Sequence, residues 1–437
     1  MPTVLDTRDS AFAREFKNFL DRARETDEAV SEAVASIIRA IRQEGDDALF
    51  DLTARFDSLN LTSGTLAFRQ DEIEAAAARV SSKEKKALKL AFERIRAFHQ
   101  RQLPEDTRWT DEAGAEIGWK WTAIESVGVY VPGGTASYPS SVLMNVVPAL
   151  VAGVDEIVMA APVPGGELNP LVLYAASLCG IDSIFKIGGA QAIAALAFGT
   201  ETIRPVDKIV GPGNAYVANA KRQVFGTTGI DLIAGPTEIL IIADHENDPD
   251  WVAIDLLSQA EHDEYARAIL VTPDRAFADS VVNAIENQLE TLARQRIAAK
   301  SWQRNGAVIV VRDLAEAAEL SNRIAPEHLS VMTSEPELVA ENIRNAGALF
   351  LGRWTPEAIG DYVAGPNHVL PTSGNARFSS GLSVIEFMKR TTIMQMTPGA
   401  LERIGPTAMI LANRESLPAH EQSVRTRLDR IRSERND

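Results

Sequence analysis

The sequence predicts an α/β protein with two parallel-sheet domains and helical segments at its N- and C-terminal ends, and three observations carry that prediction. Short β-rich apolar runs alternate with helical stretches from Tyr130 to Ala243, the alternation resumes from Ala268 to Leu351, and the flanks read as helix. Such alternation is the pattern of βαβ units.

Taken in order, residues 9–102 place Val30, Val34, Ile37, Ile38 and Ile41 three and four apart with charged residues opposite, which predicts amphipathic helices. Residues 109–124 contain the alternating Gly118-Trp-Lys-Trp-Thr122, a strand leading into Val127-Gly-Val-Tyr-Val131. The first strand series is residues 156–160, 183–187, 208–210 and 239–243; the second is 268–272, 307–311, 329–332 and 348–351. After Gly352 the periodicity weakens into a glycine- and proline-rich run, residues 360–372, of the kind that forms functional loops. From Val384 onward the pattern predicts helix again, ending in the charge-rich residues 425–437.

A chain of 437 residues, 45% hydrophobic and 24% charged, buries a sizeable core and divides into at least two domains. Its formal net charge of −16 argues against nucleic acid, whose phosphates are met by clustered Lys and Arg. The acidic start Met1-Pro-Thr-Val-Leu-Asp-Thr-Arg-Asp9 lacks the basic segment of an export signal, and the apolar run at 142–154 is too short and broken to span a bilayer. The single cysteine, Cys179, fits a core position in a reducing, cytoplasmic protein.

The chemistry-bearing residues centre on Asp248-Pro-Asp-Trp-Val-Ala-Ile-Asp-Leu-Leu-Ser-Gln-Ala-Glu-His262, where Asp248 and Pro249 signal a helix start. Gln259 and His262, three apart near that helix's end, share one face and can converge on a metal or a polar guest. A solvated helix end would look the same. The chain has only six histidines, and His328, His368 and His420 sit after Pro-Glu, Pro-Asn and Pro-Ala, contexts that packing alone does not require.

Gly133-Gly134, Gly188-Gly-Ala-Gln191 and Gly211-Pro-Gly-Asn214 each follow a strand and precede a helix, where backbone amides can meet a dinucleotide phosphate. Tight βα turns explain the same glycines, and none is a full G-x-G-x-x-G. Glu327 and His328, adjacent after Pro326, can divide proton-transfer work. Asp361, Glu415 and His420 add oxygen and nitrogen donors, and a set of the Gln, His, Asp, His kind suits zinc.

Over nearly its whole length the sequence resembles histidinol dehydrogenase. The resemblance is carried by residues 128–141, by Gly188-Gly-Ala-Gln-Ala-Ile-Ala-Ala195 and by Lys208-Ile-Val-Gly-Pro-Gly-Asn-Ala-Tyr-Val217. It continues in Leu257-Ser-Gln-Ala-Glu-His-Asp263, Ala325-Pro-Glu-His-Leu329, residues 360–372 and Ala376-Arg-Phe-Ser-Ser-Gly-Leu-Ser383. It implies a cytoplasmic, zinc-dependent enzyme of histidine biosynthesis that oxidises L-histidinol to L-histidine in two NAD-linked steps through unreleased L-histidinal. It further implies one zinc per subunit on Gln259, His262, Asp361 and His420, and Glu327 and His328 as acid/base residues. Tyr130, Gln191 and Asn214 fall on the NAD contacts, while Thr237, Gln259, His262, His328, Asp361, Glu415 and His420 form the substrate pocket.

The implied architecture is an intertwined homodimer of two Rossmann-like domains with shared active sites. Residues 1–25 are a helical segment, 26–129 and 238–381 a discontinuous first α/β domain, 130–237 an NAD-contacting second domain, and 382–437 a helical segment reaching the partner subunit. Thr237 departs from the pattern, where serine is expected more often, and its added methyl bears on substrate choice. The alternatives are a related zinc/NAD dehydrogenase of another small polar alcohol, such as a sulfonated diol, and, from other classes, a zinc hydrolase or a noncatalytic binding protein.

Overall fold

The computed structural model describes residues 2–21, 28–133, 138–166 and 168–436; Gly134 and residues 22–25 of the expected N-terminal segment lie outside them. The chain forms two compact units, Met1–Gln102 with Glu125–Phe387, and Leu103–Ile124 with Met388–Asp437.

The chain opens on strand β1 (Thr3–Asp6), then helices α1 (Phe12–Asp21), α2 (Glu28–Asp57), α3 (Gln70–Arg79) and α4 (Ser82–Gln100). The N-terminal segment is therefore not wholly helical, because Thr3-Val-Leu-Asp6 extends along an existing sheet edge instead. At α4, Ser81 and Glu84 cap each other's backbone amides, which fixes that helix start. The chain then crosses to the second unit for β2 (Thr107–Thr110) and β3 (Glu116–Ala123), and returns at β4 (Ser126–Tyr130).

From β4 the predicted alternation appears as α5 (Pro139–Ala152), β5 (Glu156–Ala160), α6 (Pro170–Leu178), β6 (Ile184–Phe185), α7 (Gly189–Phe198), β7 (Lys208–Val210), α8 (Ala215–Val224) and β8 (Gly229–Ile230). The strands form a parallel sheet of order β6-β5-β4-β7-β8. Strand order reverses at β4 and β7, so the loops leaving their carboxyl ends flank a crevice of the kind that takes dinucleotides. The α2 face of Val34, Ile37, Ile38, Ile41 and Leu49 packs into this sheet's core beside Ile193, Leu196 and Ile209. That α2 shares its core with the five-stranded sheet is a long-range choice that periodicity does not encode.

A second parallel sheet follows: β9 (Glu238–Ala243), α9 (Pro249–Ala260), β10 (Arg267–Thr272), α10 (Arg275–Leu289), α11 (Gln295–Asn305), β11 (Ala307–Val310), α12 (Leu314–Ile324), β12 (His328–Met332), α13 (Pro336–Ala340), β13 (Ala348–Leu351) and α14 (Glu357–Tyr362). Its order is β1-β11-β10-β9-β12-β13, with β1 added beside β11 at the edge. Two cores cover its faces, one around Leu256, Val281 and Trp302 and the other around Phe16, Phe19 and Leu329. Cys179 is a buried free thiol at the end of α6, as its context predicts, and burial pushes its pKa up to about 12.

The second unit departs from the all-helical expectation beyond Val384. Met388–Gln395 is strand β14, antiparallel to β3, which also pairs with β2. The run Thr391-Thr-Ile393 is β-branched, and its partner β3 carries the alternating Trp119 and Trp121, so pairing outweighs helix propensity. A groove on this sheet among Trp109, Trp119 and Arg390 holds none of the candidate chemistry. Helices α15 (Pro398–Arg414) and α16 (Pro418–Asn436) complete the unit. Among the described residues no helix is long and apolar enough to cross a membrane.

Candidate active site

The candidate catalytic pair is placed by the way α12 ends. Ala325 terminates the helix in the left-handed region (φ 55°, ψ 62°), Pro326 prevents its continuation, and the chain turns directly into β12 with His328 as its first residue. Because β12 lies beside β9, with His328 opposite Ile239, the starts of the two strands bring Glu327 against Thr237 and Glu238. The cluster thus sits at the amino ends of the second sheet's central strands.

Glu327 is buried, and its Oε2 accepts from the Thr237 hydroxyl (2.7 Å) and the Glu238 N–H (2.9 Å). Burial outweighs those two donors and pushes its pKa up to about 7. His328 is buried too. Its Nδ1 lies 3.1 Å from the Glu238 carbonyl, which can only accept, so Nδ1 carries the hydrogen and Nε2 the free lone pair in the neutral ring. That Nε2 is buried without a hydrogen-bond partner, 3.8 Å from Asp361 Oδ1. Burial alone would depress the ring's pKa, but Glu357, Glu327 and Asp361 together raise it to about 9.

Glu357 and Asp361 come from α14, four residues apart and therefore on one face. Gly360 lets that helix approach closely, since a Cβ there would stand 2.6 Å from the Phe350 ring. The Glu357 carboxylate reaches His328 Nδ1 at 3.5 Å, and burial raises its pKa to about 8. Sequence reasoning missed Glu357. The available signal was its spacing from Asp361 behind Pro356, a helix-start position whose first turn faces the same way as Asp361.

Gln259, fully buried in the last turn of α9, lies between Glu357 and Thr237. With its nitrogen toward Thr237 Oγ1 (2.5 Å), its oxygen would face the Glu357 carboxylate; turned over, its nitrogen donates to Glu357 at 2.6 and 3.0 Å and its oxygen accepts from Thr237. The Thr237 hydroxyl has one proton to donate. In the first orientation it goes to Glu327 and Glu357 must supply a proton to the amide oxygen; in the second it goes to Gln259 and Glu327 must be the protonated carboxyl. The four groups therefore form one hydrogen-bonded line.

His262 follows α9, its N–H bonded to the Gln259 carbonyl (3.2 Å). Burial lowers its pKa, opposed by the charge of Asp361. His368 Nδ1 lies 3.0 Å from the Asp361 carbonyl, and burial lowers that ring as well. Asp361 itself is on α14, so the residue expected in a loop is held by a helix. His328, Glu357 and Asp361 offer three ligand atoms within 4.8 Å of one another. The donor set fits a divalent ion: the Asp361 carboxylate, the His262 and His368 imidazoles, which burial keeps neutral, and the Gln259 amide, with the unpartnered Nε2 of His328 beside them. Glu415 and His420 belong to the second unit, exposed on either side of the turn between α15 and α16.

The candidate cofactor residues gather at the carboxyl ends of the first sheet. Tyr130 ends β4, and its hydroxyl accepts from the Gly189 N–H at the start of α7 (3.1 Å); Gln191 is buried in that helix's first turn. Asn214 caps α8, accepting from Tyr216 and Val217 N–H groups at 3.1 Å each.

The family model for histidinol dehydrogenase matches residues 20–428. The chain is 63% identical over 431 residues to the histidinol dehydrogenase of Cereibacter sphaeroides, covering 99% of each. It is 59% identical to that of Ruegeria pomeroyi, over 99% of this chain and 100% of the relative. The crystal structure of histidinol dehydrogenase from Elizabethkingia anophelis superposes with a TM-score of 0.94 at 38% identity, covering 99% of both chains.

Proposed function

The chain belongs to the histidinol dehydrogenase family, an oxidoreductase family of histidine biosynthesis, and from that premise we propose that it converts L-histidinol to L-histidine in two NAD-linked oxidations through L-histidinal. Zinc would be held by Gln259, His262 and Asp361 with His420 of the partner subunit in a cytoplasmic homodimer. The observation that carries the reading is the line Glu357, Gln259, Thr237, Glu327 beside the unpartnered Nε2 of His328. It supplies two separately placed proton acceptors at one spot, which two successive oxidations of one carbon require.

Zinc, when bound, would fix the substrate's imidazole and amine, and NAD would accept the hydride. In the first oxidation the alcohol proton leaves as hydride departs, and His328 Nε2 is the acceptor because the Glu238 carbonyl reserves Nδ1 for its hydrogen. The surrounding carboxylates favour the charged ring, so a neutral His328 at pH 7 needs positive charge beside Asp361, where the metal ligands converge. In the second oxidation Glu327 takes a proton from water as it attacks the aldehyde. Thr237 and the Glu238 N–H hold that carboxylate in place. Glu415 completes the substrate contacts.

Thr237 keeps the hydroxyl that serine would supply and commits it to Gln259 and Glu327. Thr237→Ser should therefore leave both oxidations within about twofold, whereas Thr237→Val, which removes one partner of a buried bond, should lower kcat by about tenfold. Equal kcat in the two variants would remove Thr237 from the line.

Cofactor choice follows from charge. Lys186, Lys208 and Lys221, close in sequence to the glycine loops, are each paired, with Glu72 (2.9 Å), Glu386 (3.0 Å) and Asp231 respectively. None of these three is left to meet a 2′-phosphate, so kcat/KM with NAD should exceed that with NADP by about tenfold or more. A preference for NADP would contradict this placement. Reduced-cofactor absorbance on adding histidinol to the zinc-loaded protein tests the overall reading, and its absence with a properly loaded protein overturns it.

A further inference from the structure

We propose that Lys221 and Asp231 are positioning residues for the cofactor, holding the Gly211–Asn214 loop shut against the end of β4 through a buried ion pair that grips both sides of Gly211. The proposal rests on the reading that this crevice takes NAD.

Gly211 leaves β7 at φ 115°, a conformation that L side chains rarely adopt, and a Cβ there would stand 2.0 Å from the Tyr130 carbonyl oxygen. The loop thus presses directly on the residue that ends β4. Two buried charges keep it there. The Asp231 carboxylate accepts from the Gly211 N–H at 2.8 Å, while the Lys221 ammonium donates to the Gly211 carbonyl at 2.9 Å and pairs with the other Asp231 oxygen. Both side chains are nearly inaccessible, at 2% and 1%.

The two residues come from different elements. Lys221 lies in the second turn of α8 after Asn214 and reaches back toward the loop that precedes its own helix, the direction in which helical side chains lean. Asp231 directly follows β8, and its N–H bonds the Ile209 carbonyl of β7 (3.3 Å).

A buried ion pair is seldom the most stabilising choice, since apolar replacements of similar volume are often neutral or better. Its use here is explained by what it binds: a glycine amide and carbonyl that no helix or sheet satisfies, at the mouth of the cofactor crevice. Charge-assisted hydrogen bonds fix direction as well as distance. Without them the loop, and with it Asn214 and the α8 amides, is free to leave the position the cofactor needs.

The test uses the full-length, zinc-loaded protein with Lys221→Met/Asp231→Leu and Asp231→Asn, reading NAD affinity by fluorescence titration alongside KM and kcat. The double variant should raise Kd and KM for NAD by about 10- to 100-fold, the loss expected for one or two charge-assisted bonds. KM for histidinol and kcat at saturating NAD should stay within about twofold. Asp231→Asn keeps shape and one acceptor and should raise the NAD KM by at least about threefold; it decides the matter if the double variant does not fold. A folded double variant, or a folded Asp231→Asn, with wild-type NAD affinity overturns the proposal, as does an equal rise in the histidinol and NAD KM values. Asn214→Ala separates the two levels of inference. If it weakens NAD while the pair variants are silent, only the clamp is wrong; if it leaves NAD binding unchanged, the cofactor reading itself fails.

Discussion

Glu327→Gln is expected to slow oxidation of added histidinal by about 10² to 10⁴, the usual cost of losing one general base, while still delivering hydride from histidinol to the aldehyde level. The glutamine keeps the acceptor for Thr237 but cannot take a proton from water. The pH dependence follows from the same group. Burial raises the Glu327 carboxyl to about 7, so below that pH the proton is on and the base is lost. The second-oxidation rate should therefore fall as pH drops through about 7 in wild type, and that limb should vanish in Glu327→Gln. His328→Asn should slow both oxidations. Wild-type rates of Glu327→Gln on histidinal would remove the assignment.

His262→Ala and His420→Ala should each lose zinc and at least about 100-fold in activity, since removing even an outer-shell partner of a metal ligand costs about 10- to 100-fold. Mixing the two inactive proteins should restore part of the activity, because a hybrid dimer carries one site with both histidines intact. His420 stands exposed in the first turn of α16, which suits a residue offered to a partner. Metal analysis and activity across mixing ratios check this. Hybrid dimers that form and stay inactive would rule out the shared site.

Much of the fold was legible. Residues 156–160, 208–210 and 348–351 are strands at the bounds that their apolar runs predict; in the first two, parallel strands buried on both faces read as continuous β-rich runs. Asp248 caps α9 as its sequence signals. What failed was non-local. Thr3–Asp6 and Gly229–Ile230 are strands by virtue of a neighbouring edge, β14 by virtue of β3, and α2 joins one sheet and not the other through side-chain packing alone.

The site divides in the same way. Glu327 and His328 are legible as a pair because Pro326 marks the turn, and Gln259 because it shares a helix end with His262. That Thr237 bridges Gln259 and Glu327 depends on β9 and β12 being neighbours, although 90 residues separate Thr237 from Glu327. Glu357 was hidden by its surroundings: a lone glutamate after a proline resembles any helix start, and only burial against His328 singles it out.

The most direct test of the central claim, that one site carries out two successive oxidations, is the ratio of NADH formed to histidinol consumed, measured with an aldehyde trap present. Two NADH per histidinol, with histidine as product and no trapped histidinal, is the predicted result. One NADH per histidinol, with histidinal accumulating in the trap, would contradict the account.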